Sequence, residues 1–133
     1  MTHQELNSTD KIDLRASTLS LRIDEIMHVH IKAVEEFLTD DLMDIFNGFY
    51  EIGRGEKFLN LVTFEDFVIV NQEARKLAAR AVASKFTIAD AFVVDSIALK
   101  LVINFYIAFN KPSRPTRIFD TEEKAIEWLK TFS

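Results

Sequence analysis

The chain has no cysteine among its 133 residues, which excludes disulfides and thiolate metal sites and fits a reducing compartment. Proline occurs twice and glycine three times, too rarely for a low-complexity composition. Basic residues are outnumbered, 16 Lys and Arg against 21 Asp and Glu. The resulting net charge of -5 argues against nucleic acid as a partner, because phosphate binding needs an electropositive surface. No window supplies the run of about 18 apolar residues that spans a bilayer. The nearest approach, Ile97 to Phe109, is interrupted by Lys100 and Asn104 and suits a buried helix. The start lacks a basic segment followed by an apolar run, so no signal peptide is read there. A cytoplasmic protein that does not span a membrane is the expectation.

What the chain does have is apolar bulk: 48% of its residues are hydrophobic and twelve are Phe. At this length roughly two-thirds of the surface is buried on folding, enough for one core of two or three layers. A single domain is expected over residues 15–133, preceded by a flexible tail over residues 1–14.

From Ser17 to Asp24, Leu19, Leu21 and Ile23 alternate with Thr18, Ser20 and Arg22. Ile26 to Lys32 repeats the pattern, with Met27, Val29 and Ile31 on one face and His28 and His30 on the other. Period-two alternation on both sides of the short Asp24-Glu25 link predicts an antiparallel hairpin. Thr39 or Asp40 is placed to cap a helix that carries Leu42, Ile45, Phe46 and Phe49 and stops near Gly53. Phe58 to Thr63 predicts a strand, and Asn71 an N-cap for a helix through Ser84 that turns Ala74, Leu77, Ala78, Ala81 and Val82 inward. Ala89 to Val94 is nearly continuous apolar sequence, as in a strand covered on both faces, and Asp95 or Ser96 caps the long helix after it. Pro112 and Pro115 end that helix. Thr116 to Phe119 predicts a last strand. Asp120 with Glu123 reads as cap and capping box of a terminal helix whose Ala125, Trp128, Leu129 and Phe132 share one face. The order ββαβαβαβα implies an α/β fold: a mixed, mostly parallel sheet of about five strands with about four helices packed against it.

Several of these segments carry a resemblance to a known family. They are Ala91-Phe92-Val93-Val94-Asp95-Ser96, the apolar helix after it, Phe109-Asn110-Lys111-Pro112, and Pro115-Thr116-Arg117-Ile118-Phe119 with Glu123, Ala125 and Trp128-Leu129 following. From Leu19 to Lys130 the chain resembles the SpoIIAA-like group of the STAS superfamily. The resemblance implies that fold, and the group's members are mostly small bacterial proteins of undefined role; a regulatory or protein-interaction module with no enzymatic activity and no cofactor is the expectation. Some members of the group resemble lipid-binding folds of the Sec14 type. In the anti-sigma factor antagonists of the superfamily, the helix after the third strand begins with an Asp-Ser-Ser-Gly motif whose serine is phosphorylated, and the added charge releases the partner. Here that region reads Val68-Ile69-Val70-Asn71-Gln72-Glu73, and no hydroxyl lies between Thr63 and Ser84, so a phosphoserine switch has no acceptor at that place.

Candidate sites remain. His28 and His30 share a strand face and could supply two metal ligands, with Asp24 or Glu25 near enough in sequence for a third. A closed site needs three or four ligands with support behind them, so no metal is assigned, and a solvated or hydrogen-bonded strand face is the simpler reading. His3 falls in the expected tail. No nucleophile motif, Gly-rich phosphate loop or clustered acid and base gives enzyme chemistry a residue to rest on. In the helix from Ile97, Lys100, Asn104 and Lys111 form one narrow polar stripe and nearly everything else is apolar. Leu101, Phe105 and Ala108 are expected to face the sheet, which leaves Leu99, Val102, Ile103, Tyr106 and Phe109 to be covered by other helices, a second subunit or lipid. Packing within the chain and in a homodimer is preferred. Phe64 and Phe67 to Val70 form a second apolar stretch, either a strand extension or a pocket mouth. Together with Tyr106 and Phe109, the residues Phe64, Phe67 and Ile69 would line the site of the alternative function, a carrier or sensor of a hydrophobic or lipid-like ligand that could associate with a membrane surface. Asn71, Arg75, Lys76 and Arg80 mark a helix that could contact a protein partner or a lipid headgroup. A filled core would mark an interaction module, and an apolar cavity of a few hundred Å3 a carrier.

Overall fold

Alternating side chains set the sheet, and helices with one apolar stripe close over it. The computed structural model describes residues 11–80 and 82–133. Its elements follow in the order β1 (Lys11–Asp13), β2 (Ser17–Leu21), β3 (Met27–Ile31), β4 (Glu36–Phe37), α1 (Thr39–Gly53), β5 (Phe58–Phe64), β6 (Ile69–Val70), α2 (Gln72–Ala79), β7 (Thr87–Val93), α3 (Ile97–Phe105), β8 (Thr116–Phe119) and α4 (Glu122–Leu129). A six-stranded sheet has the order β1-β2-β3-β5-β7-β8, antiparallel across the first three strands and parallel from β3 onward. The strands β4 and β6 pair separately, in parallel.

The register pairs Leu19 with Val29, Val29 with Val62, Val62 with Phe92 and Phe92 with Ile118, which puts these five residues on one face. Helix α1 lays Leu42, Ile45, Phe46 and Phe49 onto that face, beside Ala74, Leu77 and Ala78 of α2. Helix α3 packs Leu99 and Ile103 against Phe64, Phe92 and Ile118 on the same side. Among the described residues the opposite face is covered by α4 alone, whose Ala125 and Leu129 meet Leu59, Leu61, Ala89 and Ala91. Three helices on one face and one on the other leave the β2 and β3 part of the second face, with Thr18, Ser20, His28 and His30, half-buried and polar.

The hairpin, the Phe58 strand and the Thr116 strand are where their periodicity puts them, and Asn71 Oδ1 caps α2 by accepting the Glu73 and Ala74 amides at 2.9 and 3.4 Å. Other expectations need correcting. The residues Lys11–Asp13, expected in a tail, form an edge strand whose Ile12 packs on the core, while residues 1–10, His3 among them, lie outside the described residues. Ile23 is exposed in the turn, where Glu25 takes a positive φ of 65°. The second helix ends at Ala79 and not at Ser84, a 3-10 turn follows at Ala83–Lys85, Val82 is exposed, and Ala81 lies outside the described residues.

Two helix caps are displaced by a residue or more. At α4 the Thr121 hydroxyl accepts the Lys124 amide at 3.2 Å, and Asp120 forms an ion pair with Lys124 instead of capping. At α1 neither Thr39 nor Asp40 caps. Asp41 Oδ2 reaches back to accept the Leu38 amide at 2.8 Å, and the same carboxylate receives Arg15 Nε and Nη2 at 2.9 and 2.6 Å. One buried carboxylate thus joins the loop between β1 and β2 to the start of a helix.

The Arg15 guanidinium and the Leu38 amide hold the Asp41 carboxyl below its ordinary value. A carboxyl depressed in the folded state stabilises above its unfolded pKa, and that stability is lost as pH falls through the folded value. Asp41→Asn should therefore lower stability at pH 7 by about 1–2 kcal/mol. The gap to the wild type should close in strong acid, as read by urea unfolding at both pH values.

Candidate functional site

Helix α3 starts where the Ser96 hydroxyl accepts the Leu99 amide at 3.1 Å, and its last turn widens into π geometry over Tyr106–Asn110 before Lys111 ends it at a φ of 51°. Wide turns of this kind recur at functional positions. Leu99, Ile103 and Tyr106 point inward and are buried. Outward stand Ile97, Leu101, Phe105 and Phe109, exposed by 80, 67, 46 and 70%. This corrects the expected orientation, in which Leu101, Phe105 and Ala108 faced the sheet; Ala108 is exposed as well. Lys100 is half-buried and Asn104 is exposed beside the apolar row, so the polar stripe runs along one edge of the outer face.

Phe105 and Phe109 stack with ring centroids 4.4 Å apart, and the Arg75 guanidinium lies 5.5 Å from the Phe105 centroid while its Nη1 donates to the Val70 carbonyl at 2.6 Å. Arg75 therefore ties the start of α2 to the end of α3. Phe67 and Ile69 are exposed too.

Beneath the helices, between them and the sheet, lies a partly open cavity of about 130 Å3. Phe46, Phe49, Val29, Val62 and Phe92 give it apolar walls, and its polar groups collect toward the N-terminal ends of β5, β7 and β8. There Asp90 Oδ2 receives Arg114 Nε at 2.8 Å and Nη2 at 2.7 Å, with both side chains buried. Arg114 Nη1 donates to the Ala78 carbonyl at 2.8 Å, and Asn60 Nδ2 donates to Thr87 Oγ1 at 2.9 Å and to Asp90 Oδ1 at 3.2 Å. Burial pushes the Asp90 carboxyl up, opposed by Arg114 and Asn60. Burial likewise raises the Tyr106 hydroxyl. Asn60 Oδ1 and Arg75 Nε have no partner among the described residues.

Of the residues singled out in the sequence, Phe64, Val102, Ile103, Tyr106 and Arg75 line this cavity. Leu99 is buried in the adjoining cluster with Val94, and Phe67, Ile69 and Phe109 are on the surface. Asn71 is engaged in capping, Lys76 reaches Glu73 at 3.7 Å, and Arg80 is an exposed C-cap residue. Sequence reasoning missed Asn60, Thr87, Asp90 and Arg114. The available signal was a polar residue inside each of two apolar strands, since buried polar groups require partners.

On the opposite face, His28 Nε2 and His30 Nδ1 contact the same Thr63 Oγ1 at 2.7 and 2.8 Å. Burial holds the His28 imidazole below its usual value, with Glu122 opposing. Asp24 pairs with Arg22 and Lys130, and Asp95, Asp120 and Glu122 are the carboxylates that share the groove with the two histidines. Among the described residues no three His, Asp or Glu side chains are placed to hold a metal ion, and no helix is long and apolar enough to cross a membrane.

Removing one partner of a buried ion pair strands the other charge. Arg114→Met should cost about 3–5 kcal/mol. Adding Asp90→Leu to it should recover most of that loss in denaturant unfolding. Equal stability of the single and double variants would contradict a pair-dependent core.

The family described as Domain of unknown function (DUF7793) matches residues 19–133. No curated protein matches the chain. Among solved structures the chain is similar to that of an uncharacterized protein from the DUF3478 family with a SpoIIAA-like fold, from Shewanella loihica PV-4. The TM-score is 0.58 at 15% sequence identity, over 89% of this chain and 97% of that one. At this identity the likeness establishes the fold, a SpoIIAA-like α/β arrangement, here with six strands in the main sheet where about five were expected. The matched residues take in everything from Leu19 in β2 to α4 and Ser133, and the chain belongs to the DUF7793 family.

Proposed function

We propose that the protein is a non-enzymatic interaction module of STAS type, and that it works as a homodimer formed through the outer face of α3. The observation that carries this reading is the row Ile97, Leu101, Phe105 and Phe109, four large apolar side chains exposed along one helix. A contiguous apolar strip of this kind is costly in water and marks a surface that is covered in use.

A second copy fits the strip better than lipid. Asp95 precedes the helix and Lys111 ends it, both exposed. Antiparallel packing of two α3 helices about a two-fold axis would set Asp95 of each copy near Lys111 of the other and lay Leu101 against Phe105. The helix dipoles would oppose as well. The cavity supports an interaction module over a lipid carrier, because about 130 Å3 falls short of the few hundred Å3 that an acyl chain needs. With no hydroxyl between Thr63 and Ser84, regulation of such a module would not use the phosphoserine of the anti-sigma factor antagonists.

Native mass spectrometry and light scattering test the reading. The wild type should be a dimer at micromolar concentration, and Leu101→Asp with Phe109→Ser should weaken dimerisation at least about tenfold with the fold retained, since both sites are exposed. A monomeric wild type, or a variant that stays dimeric, would overturn it. A monomer that sediments with anionic vesicles would assign the strip to lipid.

A further inference from the structure

We propose that the cavity between the sheet and helices α1, α2 and α3 binds an uncharged small molecule with an apolar body and one hydroxyl or N–H donor, which donates to Asn60 Oδ1.

Asn60 lines the cavity and is only 4% exposed. Its amide orientation is set by chemistry: both Nδ2 contacts, Thr87 Oγ1 and Asp90 Oδ1, use it as a donor, and turning the amide over would place Oδ1 against the Asp90 carboxylate. The oxygen that remains is an acceptor with no donor among the described residues. Buried acceptors in native interiors are nearly always satisfied, so an unpartnered one on a residue that lines a cavity marks where a donor belongs.

The charge of the ligand follows from its surroundings. Asp90 and Arg114 already neutralise each other at this end, so a charged headgroup would enter a buried site with no countercharge left to meet it. Arg75, the other cation in the lining, stands under Phe105 and is engaged with the Val70 carbonyl. Its unpartnered Nε is where an anion would bind instead, which gives the test a second arm. Size follows from volume. An engineered apolar cavity of about 150 Å3 accepts benzene, so the 130 Å3 here suits roughly six to eight non-hydrogen atoms. Phe46, Phe49 and Phe92 supply faces for a flat ring. The inference does not depend on dimer formation, because the cavity lies on the inner side of α3 and the docking strip on the outer side.

Titration of the full chain with phenol, benzene and benzoate, followed by amide NMR shifts, decides the matter. Phenol should bind saturably, shift resonances of the cavity lining, and bind roughly tenfold more tightly than benzene, the worth of one buried hydrogen bond. Benzoate should bind more weakly than both. Asn60→Leu should bring the phenol-to-benzene ratio to about one, and Ala78→Leu, which fills the cavity, should abolish binding of either. If Asn60→Leu does not fold, the wild-type ratio alone decides. Equal affinity for phenol and benzene would mean that water satisfies Asn60 and would overturn the proposal. Tighter binding of benzoate, or no saturable binding of phenol, would overturn it too.

Discussion

Among the described residues, Asp90 and Arg114 form the one ion pair with both side chains buried. Asp90 sits in β7, a strand flanked by parallel partners on both sides, and Arg114 comes from the proline-bounded loop that returns from α3 to β8. Through Arg114 the pair reaches the Ala78 carbonyl near the end of α2, and through Asp90 it orients Asn60 in β5. Four segments separated in sequence are held by one set of charge-assisted hydrogen bonds, which lose their value if any member leaves. Apolar packing closes the layer, but it is not directional. The pair anchors the loop that follows α3, while Leu99 and Ile103 set the side of α3 that meets the sheet.

Two features mark helix α3. The inner side of α3 contributes Val102, Ile103 and Tyr106 to a cavity that packing does not fill, and the outer side presents Ile97, Leu101, Phe105 and Phe109 to its surroundings. Most surface helices resolve the two sides into apolar and polar. This one is apolar on both and polar only along one edge, which is consistent with a helix that holds the core on one side and a partner on the other. Arg75, lying against Phe105 and lining the cavity, touches both sides.

The legible parts of the sequence were those set by neighbours along the chain. Period-two alternation located the hairpin, and the side chains of Asn71 and Ser96 cap where their type and position suggested. Strands β1, β4 and β6 are two or three residues long, and no periodicity can register in them; pairing with distant segments makes them strands. Asp41 and Thr121 took over caps from adjacent residues because Arg15, far away in sequence, holds Asp41, and Lys124 draws Asp120 away. The orientation of α3 was misread because a polar edge gives a direction only when the remaining faces differ, and here they do not. Asn60 and Asp90 were visible as polar residues in apolar strands. Their meaning depended on Arg114, which proximity in sequence could not connect to either. His28 and His30 share a face as the alternation required, but Thr63 from β5 holds both, Asp24 pairs with Arg22 and Lys130, and Glu25 is exposed in the turn.

The outer face of α3 as the contact between two copies is tested most directly by spin labelling, which the absence of cysteine makes simple. A single nitroxide at Asn104→Cys, beside the exposed strip, reports the distance between copies, and one at Thr18→Cys, on the other face of the sheet, serves as control. Two α3 helices packed at about 8–10 Å between axes predict strong dipolar coupling between the labels at 104 and much weaker coupling at 18. Absence of coupling at 104, or stronger coupling at 18, would contradict docking through α3.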